Sequence, residues 1–357
     1  MARVNVAIVR AGWWGTAAHI PALKDHPDAA VVAVQSRSLD KARKIAADFG
    51  VPHACTTVDE VLAIDGLDAV VVSSTPNVHY AHAKAALARG KHVLIEKPMT
   101  ITVAESEELV DLAQRNGLQF LVSCPWHFTP HSIEARRLIQ SGKLGQIKMI
   151  GVMMTNFTEG LYQGLTWDEV FGKNPTRQNA AQPYRAPGLA SYSDPAVAGG
   201  GQIYCQVSHT GAYIGFLTGS DPAEVFARFD NGHAQVDVYD ALNIKLKDGT
   251  LVSMASHGAP MPSDRQNEVR VYGTKGQILL ELWKGKMEFH DDAFHVTRYP
   301  DIAEENIYPM FEPARNLVDS ITGAAPNGSP ATLGLYAMRI IEAAVQSART
   351  GANVIIG

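Results

Sequence analysis

Across 357 residues, apolar side chains make up 46% and charged ones 19%, the balance of a globular protein long enough for two cores. The formal net charge is −5 with no dense Lys/Arg block, which leaves no electrostatic footprint for nucleic acid or an anionic membrane surface. No apolar run reaches bilayer length, and three scattered cysteines (Cys55, Cys124, Cys205) fit neither a disulfide framework nor a metal site.

The opening MARVNVAIV passes straight into a β-branched run with no basic-then-apolar leader, which predicts a cytoplasmic protein. VNVAIV (4–9), VVAVQS (31–36), DAVVVSS (68–74), HVLIEK (92–97) and QFLVSC (119–124) are short continuous apolar runs, as in strands covered on both faces. Between them lie helical patterns: the stretch after Gly15, LDKARKIAADFG ending on Gly50, TVDEVLAI behind Thr57, HYAHAKAALARG and VAESEELVDLAQRNG. This alternation predicts a doubly wound parallel sheet over 1–124, an α/β Rossmann domain.

The second half changes character. Strand runs at 146–157, 223–229, 241–258 and 268–290 are broken by the turns KDG and GTKG, which predicts an α+β domain over 125–330. Its sheet is expected to be large, open and mostly antiparallel, with helices at 131–141, 203–218 and 309–322. A last helix and tail, 331–357, close the chain. A long irregular stretch, 160–201, carries Tyr, Trp and Arg and suits a pocket-lining loop.

VAIVRAGWWG (6–15) departs by one residue from a dinucleotide-binding turn. Gly12 and Gly15 stand where the backbone approaches a pyrophosphate and where helix packs on strand, but Arg10 replaces the first glycine. Two glycines of three are a weak signal, and a plain strand-to-helix turn is the alternative. Ala11, Gly12, Trp13, Trp14 and Gly15 are the cofactor candidates here, the tryptophans reading either as a wall of the site or as helix packing. At the end of the second strand Ser36 and Arg37 follow Gln35, with no carboxylate to hold a ribose 2′-hydroxyl. Serine and arginine suit a 2′-phosphate, so NADP is expected over NAD; the alternative is a solvated strand end. Lys97, at the end of another strand, would face the crevice where such sheets bind ligands and could lower the pKa of a substrate hydroxyl.

GKHVLIEKPM (90–99), after SSTPNVHYAHAKAAL (73–87), closely resembles the Gfo/Idh/MocA oxidoreductases, and the resemblance spans essentially the whole chain. It implies that Ser74, Thr75, Pro76, Asn77, His79, Glu96 and Lys97 border the nicotinamide cofactor, with Lys97 also catalytic. GGGQIYCQVSHTGAYIGFLTG (199–219) matches the family's glycine run and catalytic helix. His209 takes the position of the general base, while Cys205 stands where the family often has Asp, one helical turn earlier on the same face. Gln206, Trp126 and His127 in SCPWHFTPH, and Tyr184 and Arg185 in the long stretch, are substrate candidates, ordinary packing being the alternative reading of the last four.

The implied function is hydride transfer between NAD(P) and a secondary hydroxyl or carbonyl of a sugar, glycoside or cyclitol. Two alternatives stay open: an oxidation-assisted glycoside-cleaving or eliminating enzyme, and a non-catalytic dinucleotide-binding sensor. The free face of the second sheet is expected to pair subunits into a homodimer or homotetramer.

Overall fold

The first apolar run becomes the centre of a parallel sheet in the computed structural model, which describes residues 3–171, 184, 188–261 and 264–357. In chain order the elements are β1 (Val4–Val9), α1 (Ile20–Lys24), β2 (Ala29–Gln35), α2 (Leu39–Phe49), β3 (His53–Cys55), α3 (Val58–Leu62), β4 (Ala69–Val72), α4 (Pro76–Ala88), β5 (His92–Ile95), α5 (Val103–Arg115) and β6 (Phe120–Val122). Strand order is β3-β2-β1-β4-β5-β6, and each pairing is parallel. Residues Val6 to Val9 and Ala69 to Val72 are fully buried, which is why these strands read as unbroken apolar runs. The edge strand β3 went unread because His53–Cys55 is short and opens on an exposed histidine, so it makes no continuous apolar run.

Local chemistry sets the helix ends. Thr57 with Glu60, and Thr102 with Glu105, form capping boxes at α3 and α5. Gly50 ends α2 in the left-handed conformation at φ 62°. The helix after Gly15 begins as a π-turn, Gly15–His19, before tightening into α1.

The chain continues with α6 (Pro130–Gln140) and β7 (Ile147–Thr155). Among the described residues, the stretch expected to be irregular holds four one-turn helices: α7 (Glu159–Tyr162), α8 (Trp167–Phe171), α9 (Ala190–Ser193) and α10 (Pro195–Ala198). The expected helix 203–218 is two pieces, α11 (Gln202–Cys205) and α12 (Val207–Thr218), broken at Gln206. Then come β8 (Pro222–Asp230), β9 (Tyr239–Leu246), β10 (Leu251–His257), β11 (Asn267–Gly273), β12 (Gly276–Glu281), β13 (Lys286–Asp291), β14 (Val296–Arg298), α13 (Glu312–Thr322), α14 (Ala331–Thr350) and β15 (Val354–Ile355). The second sheet has the order β14-β13-β12-β11-β7-β10-β9-β8-β15. Its pairings are antiparallel except β7 with β10, which run parallel from Met149–Leu251 to Thr155–His257. That exception is possible because β7 and β10 come from distant segments and share no tight turn.

Two compact units result: 1–124 with 166–191 and 310–335, and 125–165 with 192–309 and 336–357. Val6, Ile8, Val34, Val71 and Leu94 of the first sheet pack with Ile20, Ile45, Leu317 and Val318 in the first core. In the second unit β9 alternates strictly between exposed and buried residues, so one sheet face is covered and the other open. Among the described residues no helix is long and apolar enough to cross a membrane.

Candidate active site

The strand order reverses between β1 and β4, so the crevice at their carboxyl ends is the switch point where open parallel sheets bind ligands. The turn Arg10–Gly15 leaves β1 there, and Ser73–Asn77 leaves β4. A Cβ on Gly15 would stand 2.8 Å from Ser73 Oγ and 3.2 Å from Ile8 Cγ2, so a side chain here would have to displace both before this helix could seat on the sheet. A Cβ on Gly12 would meet only the Arg10 carbonyl, at 3.6 Å, which leaves its backbone open to an incoming group. The first backbone hydrogen bond of the helical run is donated by Thr16 N to Gly12 O at 3.0 Å, so the amides of Gly12 and Trp13 lie ahead of the ladder. Such amides suit a pyrophosphate. These features fit a dinucleotide.

The aromatic residues at this turn have a structural partner. Trp13 packs edge-on against Trp14 at 5.3 Å and against Trp167 of α8 at 4.5 Å, and Trp167 meets Phe171 at 4.2 Å. The long segment therefore returns to the nucleotide turn through α8. Tyr184 belongs to the same unit: its hydroxyl donates to the Asp48 carboxylate, and its ring packs on Phe49. Burial, with Asp48 adding, pushes the phenol up to about 12. Arg185 lies outside the described residues.

Ser36 is buried, its amide donating to Cys55 O at 3.1 Å, while Arg37 is exposed. At α4, Thr75 precedes Pro76 as the cap residue and its hydroxyl donates to Asn77 Oδ1 at 2.8 Å. His79 is wholly buried, with Nδ1 2.8 Å from Pro98 O and Nε2 2.8 Å from Ser74 O. Burial draws its pKa down despite these carbonyls. The ring braces the end of β4 against the loop after β5.

That loop carries Glu96 and the half-buried Lys97. Glu96 has a partner that nothing in the sequence marked: His19 Nε2, fully buried, lies 2.8 Å from Glu96 Oε1 across 77 positions of chain. Burial pushes the Glu96 carboxyl up, but His19, the Ser123 hydroxyl and the Lys97 charge outweigh it and hold the carboxyl below its usual value. An anion is thus fixed beside the lysine.

The second unit contains the histidine helix. Its entrance is built on Asp237, whose carboxylate accepts from Gly201 N at 2.9 Å and Ile203 N at 2.6 Å. A Cβ on Gly201 would stand 2.0 Å from Asp237 O, which explains the last glycine of the run. Gln202 completes the clamp: Oε1 accepts from Tyr162 Oη at 2.8 Å and Thr158 Oγ1 at 3.2 Å, and Nε2 donates to Ser256 Oγ at 2.9 Å. Neither Asp237 nor Gln202 was legible beforehand, because their partners come from other segments. On α12, His209 is 6% exposed and meets Trp126 edge-on at 5.3 Å. Trp126 packs in turn against Trp283 and Tyr308, each at 4.9 Å. Gln206 Nε2 donates to Cys205 Sγ at 3.3 Å, so the break in the helix places glutamine and cysteine together one turn before His209.

His127 is placed differently from its neighbour. It is 2% exposed and stacks on Phe216 at 4.6 Å and 7°. Burial, with Arg136 adding, pushes its pKa down to about 3, so the ring is neutral and acts in packing.

Residues 4–124 match the oxidoreductase family with an NAD-binding Rossmann fold, and residues 175–279 match the GFO/IDH/MocA C-terminal domain. An uncharacterized oxidoreductase of Synechocystis sp., sll0816, is 30% identical over 78% of this chain and 71% of its own length. The scyllo-inositol 2-dehydrogenase (NADP(+)) IolU of Bacillus subtilis is 30% identical over a shorter stretch, 41% of this chain and 43% of its own. A levoglucosan dehydrogenase solved with NADH and levoglucosan has the same fold, with a TM-score of 0.81 over 99% of each chain at 17% identity. The chain belongs to the GFO/IDH/MocA family of oxidoreductases, and residues 4–124 are their NAD-binding domain.

Proposed function

We propose that this chain is a nicotinamide-dependent dehydrogenase or reductase of a sugar, glycoside or cyclitol, with NADP preferred over NAD. Family membership supports the reaction class, and a relative that oxidises a cyclitol with NADP supports the substrate class. The observation that carries the reading is Lys97, set at the carboxyl end of β5 beside the buried Glu96–His19 pair. The nicotinamide, when bound along the turn 10–15 and the loop 73–77, supplies the acceptor or donor of hydride. Lys97 holds the reacting hydroxyl by a charge-assisted hydrogen bond and favours its deprotonated form. His209 takes the proton through its ring, and Trp126 orients that ring by edge-on packing. Trp126 and Gln206, in the same unit as His209, are the further substrate residues of this reading. The cofactor preference rests on Ser36 and Arg37 in place of a carboxylate.

The three cysteines are buried thiols, which suits a reducing cytoplasm. On the open face of the second sheet, Met149, Tyr239 and Leu251 are large, apolar and at least 40% exposed. A second copy of the chain is the proposed occupant of that face, giving a homodimer or a homotetramer.

The test is turnover of a panel of polyols, sugars and glycosides with each nicotinamide, read by absorbance, beside Lys97→Met and His209→Ala. Each variant is expected to lose about 10²–10⁴-fold in kcat. A protein that binds the cofactor but turns over no member of the panel, or a Lys97→Met variant as active as the unmodified chain, overturns the reading.

A further inference from the structure

Arg10 stands where a nucleotide-binding turn asks for glycine, and the backbone shows why glycine is wanted. Its φ is +60°, in the left-handed region that an L side chain enters only against steric resistance. Such strain persists only where neighbours over-determine it. Here they do. Arg10 N donates to Gln35 Oε1 at 2.9 Å, Gln35 Nε2 donates to Thr56 O at 2.7 Å, and Ala11 N donates to Gln35 O at 2.9 Å. From the other side Ser73 Oγ donates to Arg10 O at 3.2 Å. Gln35 immediately precedes Ser36 and Arg37, so this clamp ties the Arg10 backbone to the end of β2.

The electrostatics of the pair are unbalanced. Among the described residues neither the Arg10 nor the Arg37 guanidinium makes an ion pair or a side-chain hydrogen bond. The charge that acts on half-buried Arg10 is another cation: burial first, and then Arg37, draw its pKa below the usual value. His82 of α4 is pushed down to about 4, by burial and then by Arg10, so it is neutral, with Nδ1 3.1 Å from Ser74 Oγ. Among the described residues, two cations without a counter-charge therefore stand at the ends of β1 and β2.

We propose that Arg10 is a specificity residue for NADP, gripping the 2′-phosphate of the adenosine ribose together with Arg37 and Ser36. A phosphate monoester carries nearly two negative charges and accepts the planar fork of arginine in a bidentate pair. The ribose 2′-hydroxyl of NAD brings no charge and leaves the two guanidinium groups repelling each other. The substitution that weakens the sequence match is then the one that supplies the second cation, at the cost of a strained turn. This deepens the cofactor preference proposed above and rests on it.

The experiment is calorimetric titration of the full chain and of the Arg10→Gly, Arg10→Lys and Arg37→Ala variants. The ligands are NADPH, NADH, adenosine 2′,5′-bisphosphate and adenosine 5′-monophosphate. Arg10→Gly is expected to fold at least as well as the unmodified chain, because glycine relaxes the turn. It should weaken both 2′-phosphorylated ligands by roughly 10–100-fold while changing NADH and the monophosphate by less than about threefold. Arg10→Lys should fall between. If Arg10→Gly weakens NADPH and NADH equally, or strengthens both, Arg10 does not read the 2′-phosphate. If Arg37→Ala abolishes the preference while Arg10→Gly leaves it intact, the NADP reading stands and the role of Arg10 fails. If the unmodified chain binds both nicotinamides equally, the NADP reading itself is overturned.

Discussion

Replacing His19 with alanine tests whether its buried hydrogen bond to Glu96 organises the strand end that carries Lys97. His19 is fully buried, its Nε2 is 2.8 Å from Glu96 Oε1, and the Glu96 side chain is 13% exposed. Removing one partner of such a pair strands the other as a poorly solvated charge, at about 3–5 kcal/mol. The Ser123 hydroxyl remains to offset part of this, so roughly 3 kcal/mol is expected in the unfolding transition of the first unit. The sign with pH follows from the depressed Glu96 carboxyl. A lowered acid pKa stabilises the fold above the unfolded value of about 4.3, and that stability is lost as pH falls through the folded value. Without the imidazole the carboxyl loses the largest of the groups that hold it down, so the deficit of His19→Ala is largest near neutrality and narrows as pH falls through the carboxylate range. Urea unfolding of His19→Ala, Glu96→Gln and the double variant completes the cycle. Glu96→Gln should cost less in the His19→Ala background than alone, with a coupling of about 1–3 kcal/mol. A loss under about 1 kcal/mol for His19→Ala, or additive single effects, would refute the argument.

Two further outcomes test other parts of the molecule. Asp240 is buried, its oxygens find no hydrogen-bond partner of sound geometry among the described residues, and burial with the Asp237 charge adding raises its pKa well above the usual value. A raised acid keeps its proton in the folded state, so stability falls as pH climbs from about 4 toward that raised value. Asp240→Asn should remove this slope, gaining on the parent by up to about 1.4 kcal/mol per pH unit in urea unfolding across that window; parallel curves count against it. On the open sheet face, Leu251→Asp places a charge on an exposed apolar site that pairs in register with Met149. Light scattering should then report a smaller assembly than the unmodified chain forms, and a monomer in both cases removes the second copy from that face.

Much of the first unit follows from local pattern alone. Continuous apolar strands, Thr57 and Thr102 as caps, Gly50 as a stop and the EKP run at 96–98 are short-range features, and their physics acts within a few residues. The same holds for the KDG and GTKG hairpins of the second sheet, where the turn dictates antiparallel pairing. What sequence alone left open depends on partners distant along the chain. His19 meets Glu96 across 77 residues, and Asp237 accepts from the amide of Gly201, 36 residues before it, at the entrance of a helix. Neither pairing has a period or a local motif to announce it. Trp126 and His127 are adjacent in SCPWHFTPH, yet tertiary packing sends one ring against His209 and the other into a stack on Phe216. Arg10 shows both levels in one residue. Its identity broke the fingerprint in the sequence, and only the folded backbone, locked at positive φ by Gln35 and Ser73, shows that the turn forms with an arginine in it. Local sequence determined which segments become strands, helices and turns; the close approach of those segments decided which side chains meet, because burial and charge act through space rather than along the chain.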